Sequence, residues 1–142
     1  MKVKDIMTQQ PEGIQSSQTL RQAAEKMRDL NVGFLPVYDR DTVSGTITDR
    51  DIAISGIATE LNPEHSSVGE IMSKQLWKCR EDDDIETAAH TMENAQVRRL
   101  LVTNDSGAVT GIVSLGDIAT NSEPDLAGEA IHDISEPSIP KR

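Results

Sequence analysis

The chain is written twice. Shifted by 65 positions, VKDIM (Val3–Met7) falls on VGEIM (Val68–Met72). Ala23, Ala24 and Met27 then fall on Ala88, Ala89 and Met92, and Val32, Leu35 and Val37 on Val97, Leu100 and Val102. One additional residue near Ser106-Gly107 moves the offset to 66, after which Gly45, Asp51, Ile52 and Ala53 meet Gly111, Asp117, Ile118 and Ala119. The period exceeds the roughly 20–50 residues of stacked solenoid repeats. It is the size of a duplicated half-domain. A unit of about 60 residues buries too little surface to be firmly stable alone, so the two copies are expected to pack about a pseudo-twofold.

Each copy spells the same order of elements. In TLRQAAEKMRDL, Leu20, Ala23, Ala24 and Met27 recur at helical spacing, and Ile85, Ala88, Ala89 and Met92 repeat that face in DIETAAHTMENA. Thr19 and Asp84 stand where N-caps stand. GFLPVYD and RRLLVTND read as short strands ending in turn formers, with TVSGTIT and AVTGIVS as their hairpin partners. Short helices are expected from Thr48 and Ser114, and leading strands near Gly13–Ser16 and Trp77–Arg80. The predicted class is α+β: two β-α-β-β-α repeats of short sheets with flanking helices. The predicted boundaries are 1–57 for the first repeat, 58–67 for a polar linker (ATELNPEHSS) and 68–121 for the second repeat. Residues 122–142 are expected to form a short amphipathic helix (DLAGEAIHDI) and a mobile tail.

Composition narrows the function. Acidic residues number 24 against 14 basic ones, a net charge of −10. Nucleic-acid binding rests largely on phosphate neutralisation by Lys and Arg, so DNA is not an expected partner. No apolar run approaches the roughly 20 residues of a membrane span, and MKVKDIMTQQ lacks the apolar stretch of a signal peptide. A cytoplasmic location without a membrane partner is expected. The lone Cys79 cannot form an internal disulfide, fits a reducing compartment, and reads as a strand residue. His65, His90 and His132 fall in the linker, a helix and the tail, without ligand-like spacing to Cys79. No G-x-x-x-x-G-K-S/T, G-x-G-x-x-G or G-x-S-x-G motif occurs. The acidic run Glu81–Asp84 reads as a solvated turn. The chain is therefore not expected to be an enzyme, and no catalytic residue, metal or required cofactor is predicted.

The motif that carries chemistry closes each copy: GTITDRDIA (Gly45–Ala53) and GIVSLGDIA (Gly111–Ala119). Thr48 with Asp51, and Ser114 with Asp117, sit at strand-to-helix junctions. One reading is a capping box, in which the hydroxyl contributes about 1 kcal/mol. The other is ligand binding. A carboxylate in the first helical turn can accept two hydrogen bonds from the vicinal diol of a ribose, while hydroxyl and amides face a phosphate. Gly45 and Gly111 either admit a ligand close to the strand backbone or mark a bulge. The two readings are compatible, and sequence leaves both open.

Arg98-Arg99 makes the copies unequal. The pair opens the strand before Ser114, where alternation is expected to send the two side chains to opposite faces, one towards a cleft. The matching positions in the first copy are Gly33-Phe34, and Arg50 stands where the second copy has Gly116. The Asp117 site is expected to favour phosphorylated ligands.

From Val3 to about Asn121 the sequence resembles a tandem pair of CBS domains (a Bateman module), the regulatory unit named after cystathionine β-synthase. The duplication, the order of elements and the repeated G-h-h-S/T-x-x-D ending carry the resemblance, with VKDIM, the LPV strand and GIVSLGDIA especially close. TDRDIA, ELNPEHSSVGEIM and QVRRLLV are similar to small stand-alone bacterial members of the hypoxic response protein type. The resemblance implies an adenosine-type ligand (AMP, ADP, ATP, NAD or S-adenosylmethionine) in clefts between the repeats and a homodimer; an unidentified effector protein is the expected recipient of the signal. Carried over by position, Asp117 would hold the ribose, Ser114 ribose or phosphate, Ile112 the base, and Arg98 and Arg99 the phosphate. Thr46, Thr48 and Asp51 match in the first copy, where Gly33-Phe34 depart from the basic pair. Two functions stand as expectations: a nucleotide sensor, or a nucleotide-free dimerisation or scaffold module.

Overall fold

The computed structural model describes residues 1–121, 128 and 131–134. Along the chain these form α1 (Val3–Ile6), β1 (Thr8–Gln9), β2 (Ile14–Gln15), α2 (Leu20–Leu30), β3 (Phe34–Asp39) and β4 (Thr42–Thr48). α3 (Asp49–Asp51) runs on as a π-helical stretch, Ile52–Ile57, and a 3-10 turn follows at Val68–Glu70. The second copy gives β5 (Lys78–Arg80), α4 (Ile85–Ala95), β6 (Arg99–Thr103), β7 (Val109–Ser114) and α5 (Leu115–Asn121). The class is α+β, with two repeats of short sheets and flanking helices, as the sequence predicts.

One compact unit spans Pro11–Leu76. Its sheet has the order β2-β3-β4, with β2 parallel to β3 and β3 antiparallel to β4. α2 starts where Thr19 closes a capping box: Thr19 Oγ1 accepts from Gln22 N at 3.2 Å, and Gln22 Oε1 accepts from Thr19 N at 2.9 Å. The apolar face of α2 buries Leu20, Ala23 and Met27 against Ile14, Leu35, Val37 and Ile47.

The other unit joins Met1–Gln10 to the chain from Trp77 onward. Its sheet runs β1-β7-β6-β5. α4 buries Ala88, Ala89 and Met92 against Leu100, Val102 and Val113. Asp84 has the backbone conformation of an N-cap, but its side chain makes no capping hydrogen bond. The first amide of α4, Ile85 N, donates instead to Met1 O at 3.1 Å. Both long helices stop on a left-handed residue, Asn31 at φ 55° and Gln96 at φ 54°, the usual helix-ending conformation achieved without glycine.

The compact units do not follow the order of the repeats. Val3 leads the first copy, yet it is fully buried among Cys79, Ala88, Met92 and Ile118 of the second. Val68 leads the second copy and is fully buried among Ile14, Leu20, Leu35 and Ile47 of the first. The two lead segments fill equivalent slots, exchanged.

Beyond α5, residues 131–134 are helical, and Ile134 packs against the core that holds Val3. The rest of the expected C-terminal helix and the expected tail, 135–142, lie outside the described residues. Cys79 is buried in β5 opposite Val102. Burial, with a smaller contribution from the Asp83 carboxylate, pushes its thiol up to about 12. No helix among the described residues is long and apolar enough to cross a membrane.

Candidate ligand site

Both hydroxyl-x-x-Asp motifs close as capping boxes. In the second copy Ser114 N donates to Asp117 Oδ2 at 2.9 Å, and Asp117 N donates to Ser114 Oγ at 3.0 Å. In the first copy Thr48 N donates to Asp51 Oδ2 at 2.9 Å, and Asp51 N donates to Thr48 Oγ1 at 3.1 Å. Each cap uses one carboxylate oxygen. Oδ1 of Asp51 and of Asp117 makes no hydrogen bond among the described residues. Capping therefore leaves each half-buried carboxylate with acceptor capacity for a second partner.

The hairpin register places the residues that differ. Arg99 pairs with Ser114 across β6 and β7, and Phe34 pairs with Thr48 across β3 and β4. Leu115 N donates to Arg98 O at 2.8 Å, and Asp49 N donates to Gly33 O at 3.0 Å. The two junctions thus share one backbone arrangement and carry different side chains. Arg98 lies in the bend before β6 and not in the strand. The pleat therefore does not separate the arginines, contrary to the expectation from alternation. Arg98 and Arg99, both exposed, line one open hollow of about 400 Å³ together with Ser114, Leu115 and Ala119. Ile131, from the helical turn beyond the second repeat, completes its apolar side.

Ile112 stands two residues before Ser114 on β7, on the same face of the strand, but it is not part of the hollow's lining. Thr46, Thr48 and Asp51 belong to the other compact unit. Thr46 exchanges both backbone hydrogen bonds with Ser73, each at 2.9 Å.

The first junction is acidic where the second is basic. A Cβ on Gly33 would lie 3.0 Å from Asp49 Oδ2, so a carboxylate occupies the space beside the position of Arg98. Asp49 itself replaces Leu115. With Arg50 and Asp51 the first junction carries one net negative charge, whereas Arg98, Arg99 and Asp117 give the second one net positive charge.

The two strand glycines serve the fold. A Cβ on Gly45 would meet Ser73 O at 2.6 Å and Met72 Sδ at 2.8 Å. A Cβ on Gly111 would meet Met7 Sδ at 2.5 Å and Thr8 O at 2.9 Å. The close neighbour at each glycine is the exchanged lead segment. The ladder is also irregular beside each, since Val37 pairs with Gly45 but Tyr38 with Val43, and Val102 pairs with Gly111 but Thr103 with Val109. Ser44 and Thr110 are the extra residues of two equivalent bulges.

Ile131 was not among the residues singled out from sequence. The available signal was the apolar pair Ile131 and Ile134 at one-turn spacing in AIHDI. Periodicity marks that pair as a buried face, but not as part of a ligand surface.

A duplicated α+β unit, each copy ending in a hydroxyl-x-x-Asp cap, defines a tandem-repeat module. The family model described as CBS domain matches residues 3–55 and 68–123, and the chain belongs to the CBS domain family. It is 37% identical over 138 residues to the uncharacterised protein YlbB of Bacillus subtilis, covering 95% of this chain and 92% of that protein. It is 36% identical to Hypoxic response protein 1 of Mycobacterium tuberculosis, covering 82% and 81%. The crystal structure of Hypoxic Response Protein I, which has two coordinated zinc ions, superposes with a TM-score of 0.74 at 34% identity, covering 85% of this chain and 98% of that one. The CBS domain pair of protein MJ0100, in complex with 5-methylthioadenosine and S-adenosylmethionine, gives a TM-score of 0.75 at 27% identity, covering 85% and 94%. Among the described residues of the present chain, no group of three or more His, Cys, Asp or Glu side chains is placed to hold a metal ion.

Proposed function

We propose that this protein is a regulatory module that binds an adenosine-containing ligand and carries out no catalysis itself, and that the second copy favours ligands bearing phosphate. One observation carries the reading: Arg98, Arg99 and Ser114 line a single hollow, and Ser114 is joined through its cap to Asp117. The guanidinium pair offers charge-assisted hydrogen bonds to a phosphate. Asp117 Oδ1 can accept from a ribose hydroxyl while Oδ2 keeps the helix capped. Ile112, on the same strand face, is the proposed neighbour of the base. In the first copy Thr46, Thr48 and Asp51 are the corresponding ligand residues, beside an acidic junction that disfavours phosphate. The adenosine-type ligands in the MJ0100 complex support this class of ligand. The sensing form acts as a homodimer and passes occupancy to an effector protein.

Thermal unfolding in AMP, ATP, NAD and S-adenosylmethionine tests the reading. A ligand at about 100 times its Kd stabilises the native state by about 2.7 kcal/mol. A rise in Tm with at least one ligand is expected, largest with a phosphorylated one. An unchanged Tm with all four at millimolar concentration would overturn the sensor and favour a nucleotide-free scaffold.

A further inference from the structure

The hollow beside Ser114 is not closed by the repeats alone. Residues 131–134 lie outside both segments matched by the CBS domain model, yet Ile131 lines the hollow together with Arg98 and Arg99. This turn is docked. Ile134 packs against the core around Val3, Ala89 and Met92, and Gln96 Nε2 donates to Asp133 O at 3.4 Å. Residues three apart on a helix share a face, so anchoring Ile134 in the core also holds Ile131 at the rim. Ile131 is left 47% exposed, an apolar surface in the same hollow as two cations.

We propose that Ile131 is a ligand-contacting, specificity-determining residue. It supplies the apolar wall against which the nucleoside part of the ligand packs, while Arg98 and Arg99 take the phosphate. This rests on the nucleotide reading above and extends it to a segment beyond the repeats. The wall selects for a nucleoside phosphate over a bare phosphate or pyrophosphate, because only the former buries the exposed part of Ile131. Occupancy and docking of the 131–134 turn are then coupled in both directions, since a ligand that contacts only the docked turn must stabilise docking.

The test is calorimetry on the full chain with AMP and with pyrophosphate, using the wild type, Ile131→Ser and Ile134→Ala. Losing the burial of half an isoleucine side chain corresponds to an AMP affinity about five- to tenfold weaker. The expected result is that loss in Ile131→Ser, a similar loss in Ile134→Ala, and pyrophosphate affinity unchanged in both. Hydrogen exchange of wild-type amides 131–134 is expected to slow on saturation with AMP. Wild-type binding of AMP with equal affinity in Ile131→Ser, or no slowing of exchange at 131–134, would overturn the wall while leaving the nucleotide reading intact. If the wild type binds ATP or NAD in place of AMP, the same comparison is made with that ligand; absence of binding by all four ligands would overturn that reading, and the wall with it.

Discussion

Arg99 is the direct antiparallel partner of Ser114, so a guanidinium stem and a capping hydroxyl rise side by side from neighbouring strands. The place of Arg99 is taken by Phe34 opposite Thr48 in the first copy. Much of the inequality of the copies therefore lies in side chains carried on one shared backbone arrangement. Writing the first-copy pair into the second, as Arg98→Gly with Arg99→Phe, is expected to weaken AMP binding more than tenfold. If both arginines bind phosphate as proposed, charge-assisted hydrogen bonds are lost, each contributing about 1.5–3 kcal/mol. Adenosine, which lacks the phosphate, should bind the variant and the wild type alike. Parallel titrations of the two ligands check this, and equal losses for both would show that the arginines act on the scaffold and not on phosphate.

The caps predict a separation of stability from binding. Asp117→Asn keeps an amide oxygen able to accept from Ser114 N, so its effect on unfolding should stay within about 0.5 kcal/mol. Its charge is gone, and affinity for a ribose-containing ligand should fall about tenfold. Asp117→Ala loses cap and acceptor together and should cost about 1 kcal/mol of stability as well. Asp51→Ala should cost similar stability but less AMP affinity than Asp117→Ala. Urea unfolding and calorimetry on the same preparations separate the two effects.

Gly111→Ala and Gly45→Ala test the packing of the exchanged segments. The added methyl on Gly111 meets the Thr8 carbonyl and the Met7 thioether, and that on Gly45 meets the Ser73 carbonyl. Backbone carbonyls cannot swing aside as a side chain can, so each substitution should destabilise by about 1–3 kcal/mol. Gly45→Ala is the costlier of the two, since its backbone contact is closer, 2.6 Å against 2.9 Å. Met7→Ala should recover part of the cost in a Gly111→Ala background, as a double-mutant cycle would record.

These glycines also mark the limit of what the sequence reveals. The duplication, both long helices, both hairpins and the two hydroxyl-x-x-Asp caps follow from periodicity and from local chemistry, such as Thr48 with Asp51 and Ser114 with Asp117. Those signals act within a few residues of one another. The exchange of Val3 and Val68 does not follow, because the two copies offer the same slot and either valine fits either one. Sequence symmetry hides which partner is chosen. The placement of Arg98 failed for a narrower reason: alternation applies only inside a strand, and β6 begins one residue later, at Arg99.

Cys79 supplies a pH dependence with a definite sign. Its folded value of about 12 stands above the ordinary 9.0. Below about pH 9 both folded and unfolded chains keep the thiol proton, and its contribution to stability is complete. As pH rises from 9 towards 12, the unfolded chain releases a proton that the folded chain retains, so stability falls. Cys79→Ala should flatten that alkaline decline. At pH 8 an aromatic disulfide reagent should label the native protein no faster than it unfolds, because the reactive thiolate is both buried and disfavoured. Labelling of the native protein at the rate of a free thiol would contradict the buried placement.

The exchanged lead segments make a prediction that neither repeat in isolation would make. Val3 belongs to the first copy in sequence and to the second in packing. Val3→Ala should therefore loosen β6 and β7, whereas Val68→Ala should loosen β3 and β4. Each removes two buried methyl groups from a fully buried site, at a cost of about 2 kcal/mol. Native-state hydrogen exchange resolved by segment measures where that cost appears. Faster exchange in Leu100–Val102 with Val3→Ala, and in Leu35–Val37 with Val68→Ala, is the expected pattern. The reverse pattern would mean that each valine packs with its own copy. In that case Gly45 and Gly111 would lose the neighbours that now require them to be glycine.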